Sequence, residues 1–284
     1  MPEAIAINKL NLVYAPGTPM ERHALKNISL SVRQGEFRAL IGPQGSGKST
    51  LLQVMAGLMT GEGTIIVAGQ DLADKKKRLN LWRRVGVIFQ YPEKQLFEDS
   101  VFNDVAFGPR NIGFPEEEVT RRVYKALQTV EIEEQYHKIS PYKLSGGQQR
   151  RVAIAGILAM EPRILLLDEP TAGLDPRGQR QLMNLFSDIC KEHKVTVVLV
   201  THDMEEVARR ADSVSVLYNG QLHLQGTPAE IFHRIGEIEQ IGLAVPFATK
   251  LAIALKEKGL LMKENITTMQ EAEQEVGKLL KKHK

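Results

Sequence analysis

The amino-acid sequence predicts an α/β fold built round a phosphate-binding loop, with an antiparallel β layer, an inserted helical segment and a small C-terminal unit. Three observations carry that expectation. The loop Gly42-Pro43-Gln44-Gly45-Ser46-Gly47-Lys48-Ser49-Thr50 follows a short apolar run and opens a helical pattern, the context that separates a phosphate site from a chance glycine cluster. Residues 164–167 and 195–200 are leucine- or valine-rich and then turn polar, the form of parallel strands that end beneath a ligand crevice. Between the loop and these runs, residues 92–160 read chiefly as helix.

Taken in order, residues 5–14 and 25–32 alternate with period two around the breaker Ala15-Pro16-Gly17-Thr18-Pro19, so an antiparallel layer opens the chain. Residues 37–41 form a buried strand, and the helix after the glycine loop is expected to run over 48–59, stopped by Gly61 and Gly63. Residues 64–68 and 85–89 are further strands, with a solvated helix over 74–84 between them. The helical segment 92–160 is expected to break around Gly108-Pro109 and again at 113–115, where Glu116 to Glu118 suit the first turn of a new helix. A crossover helix over 180–190 joins the two later core strands, and residues 214–217 and 222–224 flank Asn219-Gly220, a hairpin signal. A domain over residues 1–226 is therefore expected, with a separate accessory or dimerisation unit over 227–284. In that unit Ile231, Phe232, Ile235, Ile238, Ile241 and Leu243 suggest one burying face.

Composition narrows the function classes. The 284 residues are 43% apolar and 25% charged, which excludes a disordered, fibrous or disulfide-held chain. The single cysteine, Cys190, lies in an apolar helical pattern and is expected to be a buried thiol. With 37 basic against 34 acidic residues the net charge is +3, so no stable nucleic-acid partner is expected. The Met-Pro-Glu-Ala start lacks a signal-peptide pattern, and uncharged runs such as 152–160 fall short of the roughly 20 residues that cross a bilayer. Work at a membrane would go through another subunit.

The chemistry is read from motifs. Gly42, Gly45 and Gly47 let backbone amides curl round the β and γ phosphates of a nucleotide, with the helix amino end adding positive potential. Pro43, Gln44 and Ser46 complete that loop; Lys48 neutralises phosphate charge, Ser49 ligates Mg²⁺ and Thr50 adds a phosphate contact. Asp168 and Glu169 close the run 164–167. Asp168 is placed to hold the Mg²⁺ shell through water, and Glu169 to activate the water that attacks the phosphate.

A narrower resemblance begins at Leu144-Ser145-Gly146-Gly147-Gln148, which is similar to the signature of the ATP-binding cassette family. Gln90 after a strand, Asp168-Glu169-Pro170, Ala172-Gly173-Leu174-Asp175 and His202 follow the same order across residues 5–225. The resemblance implies a P-loop nucleoside triphosphate hydrolase of ABC-ATPase type, with ATP and Mg²⁺ as its ligands. It further implies that Ser145, Gly146, Gly147 and Gln148 contact ATP held by a second protomer and that Gln90 links the Mg²⁺ region to the helical segment. In the same way it makes His202 a γ-phosphate sensor, Tyr14 an adenine-stacking residue, and Asp175 part of a loop that crosses the dimer interface.

Extended similarity at Phe89-Gln90-Tyr91-Pro92-Glu93-Lys94-Gln95-Leu96-Phe97, at 105–111 and in the tail around Leu243-Ala244-Val245-Pro246-Phe247 resembles the ATPase subunits of energy-coupling factor transporters. That resemblance implies an ATP-hydrolysing subunit at the cytoplasmic face of the membrane, powering import of vitamins or transition-metal ions. Its implied partners are a second ATPase subunit, the same or homologous, a transmembrane coupling protein and a small substrate-binding membrane protein. Gln95, Leu96 and Phe97 would lie beside the coupling groove. The alternatives are the ATPase of a conventional importer, or a soluble cassette ATPase remodelling nucleic acid or ribosomes.

Overall fold

The computed structural model describes residues 2–260 and 265–282. Strands β1 (Glu3–Tyr14) and β2 (Arg22–Arg33) pair antiparallel, Ile7 opposite Leu30. Strand β3 (Phe37–Ile41), buried throughout, runs into the glycine loop and helix α1 (Lys48–Met55). The helix is shorter than expected. Gly57 N donates to Val54 O and Leu58 N to Gln53 O, a closure that ends it a turn before Gly61.

Strands β4 (Glu62–Val67) and β5 (Gln70–Asp71) extend the antiparallel sheet to the order β2-β1-β4-β5. The stretch 74–84 is not one helix. Asp74 caps a short α2 (Lys75–Leu79), and a separate 3-10 turn over Leu81–Arg83 carries Leu81 into the core before β6 (Val85–Ile88). Helices α3 (Val101–Ile112), α4 (Glu116–Thr129) and α5 (Gly146–Leu158) follow. The break expected at Gly108-Pro109 does not occur: α3 continues through a buried Pro109, its Gly108 face tight against Met160. Tertiary packing overrides local propensity there.

Strand β7 (Ile164–Asp168), helix α6 (Pro176–His193), strand β8 (Thr196–Val200) and helix α7 (Met204–Arg210) lead to a hairpin of β9 (Ser213–Tyr218) and β10 (Gln221–Gly226). Its turn residues Asn219 and Gly220 have φ of 50° and 79°, the pair of positive values a two-residue turn of this hand needs. The second sheet has the order β10-β9-β3-β8-β7-β6, parallel except for the last hairpin. Ile164, Leu166, Val198 and Val200 pack towards α1 and the antiparallel layer, while Leu165, Leu167, Val197 and Leu199 pack towards α3 to α6. Both faces of the parallel sheet are therefore covered, which explains why its strands are apolar without alternation. Cys190 is buried on α6, and burial pushes its thiol up to about 11.

The remaining helices are α8 (Pro228–Phe232), α9 (Ile235–Gln240), α10 (Phe247–Glu257) and α11 (Met269–Lys282). The apolar face read as a possible subunit contact is spent inside the chain. Ile231, Phe232, Ile238, Ile241 and Leu243 form one cluster with Ala39 and Ile41 of β3, Val214 and Val216 of β9, and Met204 and Val207 of α7. Periodicity identified a face that must be covered but not what covers it. A separate small cluster of Ala248, Ala252, Ile266 and Ala272 lies beyond it.

Candidate functional site

Register brings the predicted loops to one edge. Leu40 of β3 and Asp168 of β7 both lie opposite Val200 of β8, so the glycine loop, Glu169 and Thr201-His202 leave the sheet side by side at its carboxyl end. This edge holds a cavity of about 330 Å³ lined by Tyr14, Arg22, Ala24, Gln44, Gly45, Gly47, Lys48, Ser49, Thr50, Glu169 and His202. A larger cleft of about 720 Å³ lies at the other end, beside Ile164 and Thr196 where β7 and β8 begin. It holds none of the motif residues, and Arg122 and Lys125, two of its cations, pair with its own Glu161. Ligands of open α/β sheets bind at the carboxyl ends of the strands, which favours the smaller cavity.

Lys48 is buried at the base of the loop and donates to Gly42 O at 2.8 Å and Pro43 O at 2.9 Å. Burial holds its ammonium below the ordinary lysine value, against the opposing pull of Glu169 and Asp168. Gly42 cannot carry a side chain: a Cβ there would lie 2.2 Å from Leu217 O. The loop is thus pressed onto β9. Ser46 Oγ is buried and has no hydrogen-bond partner. Tyr14 reaches over α1 and its hydroxyl lies 3.1 Å from Thr50 Oγ1, leaving the ring at the cavity wall.

The Ser49 hydroxyl donates to Asp168 Oδ1 at 3.3 Å. Burial, with the like charge of Glu169 adding to it, raises the Asp168 carboxyl above its ordinary value despite the Ser49 bond and the nearby Lys48 and His202. A hydroxyl and a desolvated carboxylate, both hard oxygen donors, suit a small divalent cation that keeps most of its ligands as water and phosphate.

Glu169 has a φ of 48°, a left-handed backbone that a non-glycine residue adopts at a cost of about 1–3 kcal/mol. Its N–H donates to Val200 O at 3.0 Å and its carbonyl accepts from Ala172 N at 3.1 Å, which closes a turn over 169–172. The turn aims the carboxylate at His202, whose Nε2 lies 2.8 Å from Glu169 Oε1. An acid and an imidazole in contact at the mouth of a phosphate loop can share a proton and orient a water.

Other expected residues stand apart from this cavity. Gln90 lies exposed just beyond β6 and is not among the lining residues. Ser145 caps α5, forming a capping box in which its N–H and hydroxyl both donate to Gln148 Oε1 and its Oγ accepts from Gln148 N. Gly146 and Gly147 are exposed, with nothing within 4 Å of the position a Cβ would take. Asp175 caps α6 by accepting from Gly178 N at 2.8 Å. Arg22 was not anticipated; its Nη2 donates to Gly45 O at 3.2 Å and adds a cation to the cavity. No local motif announces it, because the contact is made across 23 residues.

The family profile described as ABC transporter matches residues 25–172. Over 98% of both chains, the sequence is 46% identical to the energy-coupling factor transporter ATP-binding protein EcfA2 of Caldanaerobacter subterraneus subsp. tengcongensis. It is 50% identical to the protein of the same name from Symbiobacterium thermophilum, covering 94% of this chain and 93% of that one. The chain belongs to the ABC transporter family, in its energy-coupling factor branch. The ABC structure of cbiO1 from Clostridium perfringens, described as part of the ABC transporter complex cbiONQ, superposes with a TM-score of 0.75. It is 39% identical and covers 88% of this chain and 99% of its own. A dimeric post-hydrolysis state of the ATP-binding cassette MJ0796 bound to ADP and Pi gives a TM-score of 0.69 at 31% identity, covering 79% of this chain and 98% of its own. This chain is accordingly an ATP-hydrolysing ABC subunit of energy-coupling factor type, and the conventional importer and the soluble remodelling ATPase are not favoured.

Proposed function

We propose that ATP hydrolysis at the cavity round Lys48 powers import of a vitamin or a transition-metal ion, with this chain held at the cytoplasmic face of the membrane by its partners. Those partners are a second ATPase subunit, a transmembrane coupling protein and a small substrate-binding membrane protein. The observation that carries the reading is the convergence of Lys48, Ser49, Glu169, His202 and Tyr14 on one cavity. Among the described residues no helix is long and apolar enough to cross a membrane. Phe97 and Phe107, 56% and 45% exposed and edge to face at 4.8 Å, offer an apolar contact beside Lys94, Gln95 and Leu96.

In this reading Lys48 exchanges its two carbonyl partners for phosphate oxygens, which as charged acceptors bind an ammonium more strongly. Ser49 and Asp168 would hold Mg²⁺, with Gln90 a further ligand if its loop closes, and the ion supplies charge neutralisation on the phosphates. Glu169 takes the proton of the attacking water, His202 positions that water and the γ-phosphate, and Tyr14 offers its ring to adenine. Ser145, Gly146, Gly147 and Gln148 serve the ATP of the second subunit. Their support is the open space at the exposed start of α5, where a Cβ on Gly146 or Gly147 would meet nothing within 4 Å among the described residues, room for close approach by a second subunit's nucleotide.

Lys48→Ala is expected to weaken ATP binding or hydrolysis strongly, on the order of 10²-fold, with a mainly local loss of stability. Equilibrium nucleotide binding and turnover of the assembled complex check it, and unchanged values for both would remove Lys48 from the site. The larger reading is tested by purifying the tagged full-length chain in mild detergent. Membrane proteins and a second ATPase should accompany it, whereas nucleic acid or ribosomes in their place would overturn the assignment.

The C-terminal unit over 227–284 is proposed to hold the ATPase pair together, and because its 231–243 face is spent on β3, β9 and α7, that role falls to the residues from Phe247 onward. Deletion after Gly226 would strip cover from the β3 and β9 face and confound folding with assembly. Deletion from Phe247 leaves that cover in place. It should weaken pairing measured by sedimentation without nucleotide, about tenfold or more, and an unchanged association constant in a folded product would exclude the role.

A further inference from the structure

Arg150 is a charge on the buried face of α5, four residues before the buried Ile154, and its side chain is only 5% exposed. The guanidinium spends its donors on two segments, the turn that carries Glu93 and the turn that follows Glu169. Nε and Nη2 form a paired contact with Glu93 at 2.9 and 3.0 Å, in the 3-10 turn Pro92–Gln95 beside the exposed Phe97. Nη1 donates to Ala172 O at 2.8 Å and Pro170 O at 3.3 Å. Those carbonyls belong to the turn that opens with Glu169 and holds its left-handed backbone. Tyr91, itself at φ 58°, lies 5.8 Å from the same guanidinium, and its ring edge would be 3.3 Å from a Cβ on Gly173.

We propose that Arg150 is a positioning residue that transmits displacement of the Glu93 turn to the Glu169 turn, so that docking beside Phe97 sets the aim of the hydrolytic carboxylate. This rests on the reading of Glu169 as the base. The planar fork is what allows one side chain to fix a carboxylate and two carbonyls at once, and a lysine ammonium cannot reproduce that geometry. Arg150 is not among the residues lining the nucleotide cavity, so its influence falls on the aim of Glu169 and not on the phosphates. Because it also stands one turn inside the helix capped by Ser145, movement of the Ser145 end reaches the same junction. The three segments can shift only together or with the Arg150 contacts broken.

The test compares Arg150→Lys and Glu93→Gln with the native protein, each in the membrane complex that copurifies with the full-length chain. Arg150→Lys should lower kcat on the order of 10²-fold, the loss a small misplacement of a reacting group produces, while KM for ATP changes less than about threefold. Glu93→Gln should do the same to a smaller extent, and the double variant should be no worse than Arg150→Lys alone, because both act through one contact. Native kcat in Arg150→Lys, or parallel losses of kcat, ATP affinity and thermal stability in both variants, would overturn the proposal. Should Arg150→Lys fail to assemble, Glu93→Gln alone decides, a native kcat counting against it. Glu169→Gln in the same complex separates the two ideas: if it hydrolyses normally the site reading fails, and if it is inactive while Arg150→Lys is native only the transmission fails.

Discussion

Glu169→Gln is expected to retain ATP binding and to lose turnover by about 10² to 10⁴-fold, the contribution of a positioned general base. Glutamine keeps the size and one oxygen acceptor, so the pairing with His202 at 2.8 Å can survive in altered form. The strained turn is held by the Glu169 N–H to Val200 O and the Ala172 N–H to Glu169 O, both backbone contacts that the substitution does not touch. What disappears is the capacity to accept a proton from water. Lys48 and Ser49 remain where they were, so nucleotide affinity measured at equilibrium should stay within a few-fold while steady-state hydrolysis falls away. Normal hydrolysis with unchanged affinity would remove Glu169 from the role and leave His202 as the remaining group able to take a proton at the cavity mouth.

That carboxylate also shows what a sequence can and cannot display. The position of Glu169 was legible because strand ends, glycine loops and two-residue turns are local: residues 164–168, 42–50 and 219–220 each carry their own signal. Its aim was not legible, since a φ of 48° is imposed by contacts with β8 and by the turn to Ala172. Arg22 and Arg150 carry no local signal of their contacts for the same reason, their partners lying 23 and 57 residues away. A trace of Arg150 was present, a charge interrupting the apolar stripe of α5 one turn ahead of Ile154. The Ile231 to Leu243 face was legible as a face that is buried, but not in what it is buried against. Its periodicity was real, but a helical stripe specifies only that a surface is covered, and β3, β9 and α7 cover it.

Ser145→Arg is expected to abolish hydrolysis at the partner subunit's phosphate loop and to spare the loop that contains Lys48. Within its own chain Ser145 does no more than cap α5, and it is absent from the lining of the cavity round Lys48. Loss of the cap costs about 1 kcal/mol, too little to unfold a domain of this size. Placed against a second subunit's nucleotide, however, arginine brings bulk where the adjacent Gly146 and Gly147 leave open space, and removes a hydroxyl from the phosphates. Loss of such a donor is worth on the order of 10²-fold or more at that one site. The assignment is read from complexes that pair a Ser145→Arg chain with a differently tagged partner, Glu169→Gln being added to one chain at a time after each single Glu169→Gln assembly has shown measurable hydrolysis. Residual turnover should vanish when Glu169→Gln shares the chain with Ser145→Arg, because the surviving site is the one built on that chain's own phosphate loop. If turnover persists there and vanishes instead when the partner carries Glu169→Gln, Ser145 acts within its own subunit and the composite site is refuted.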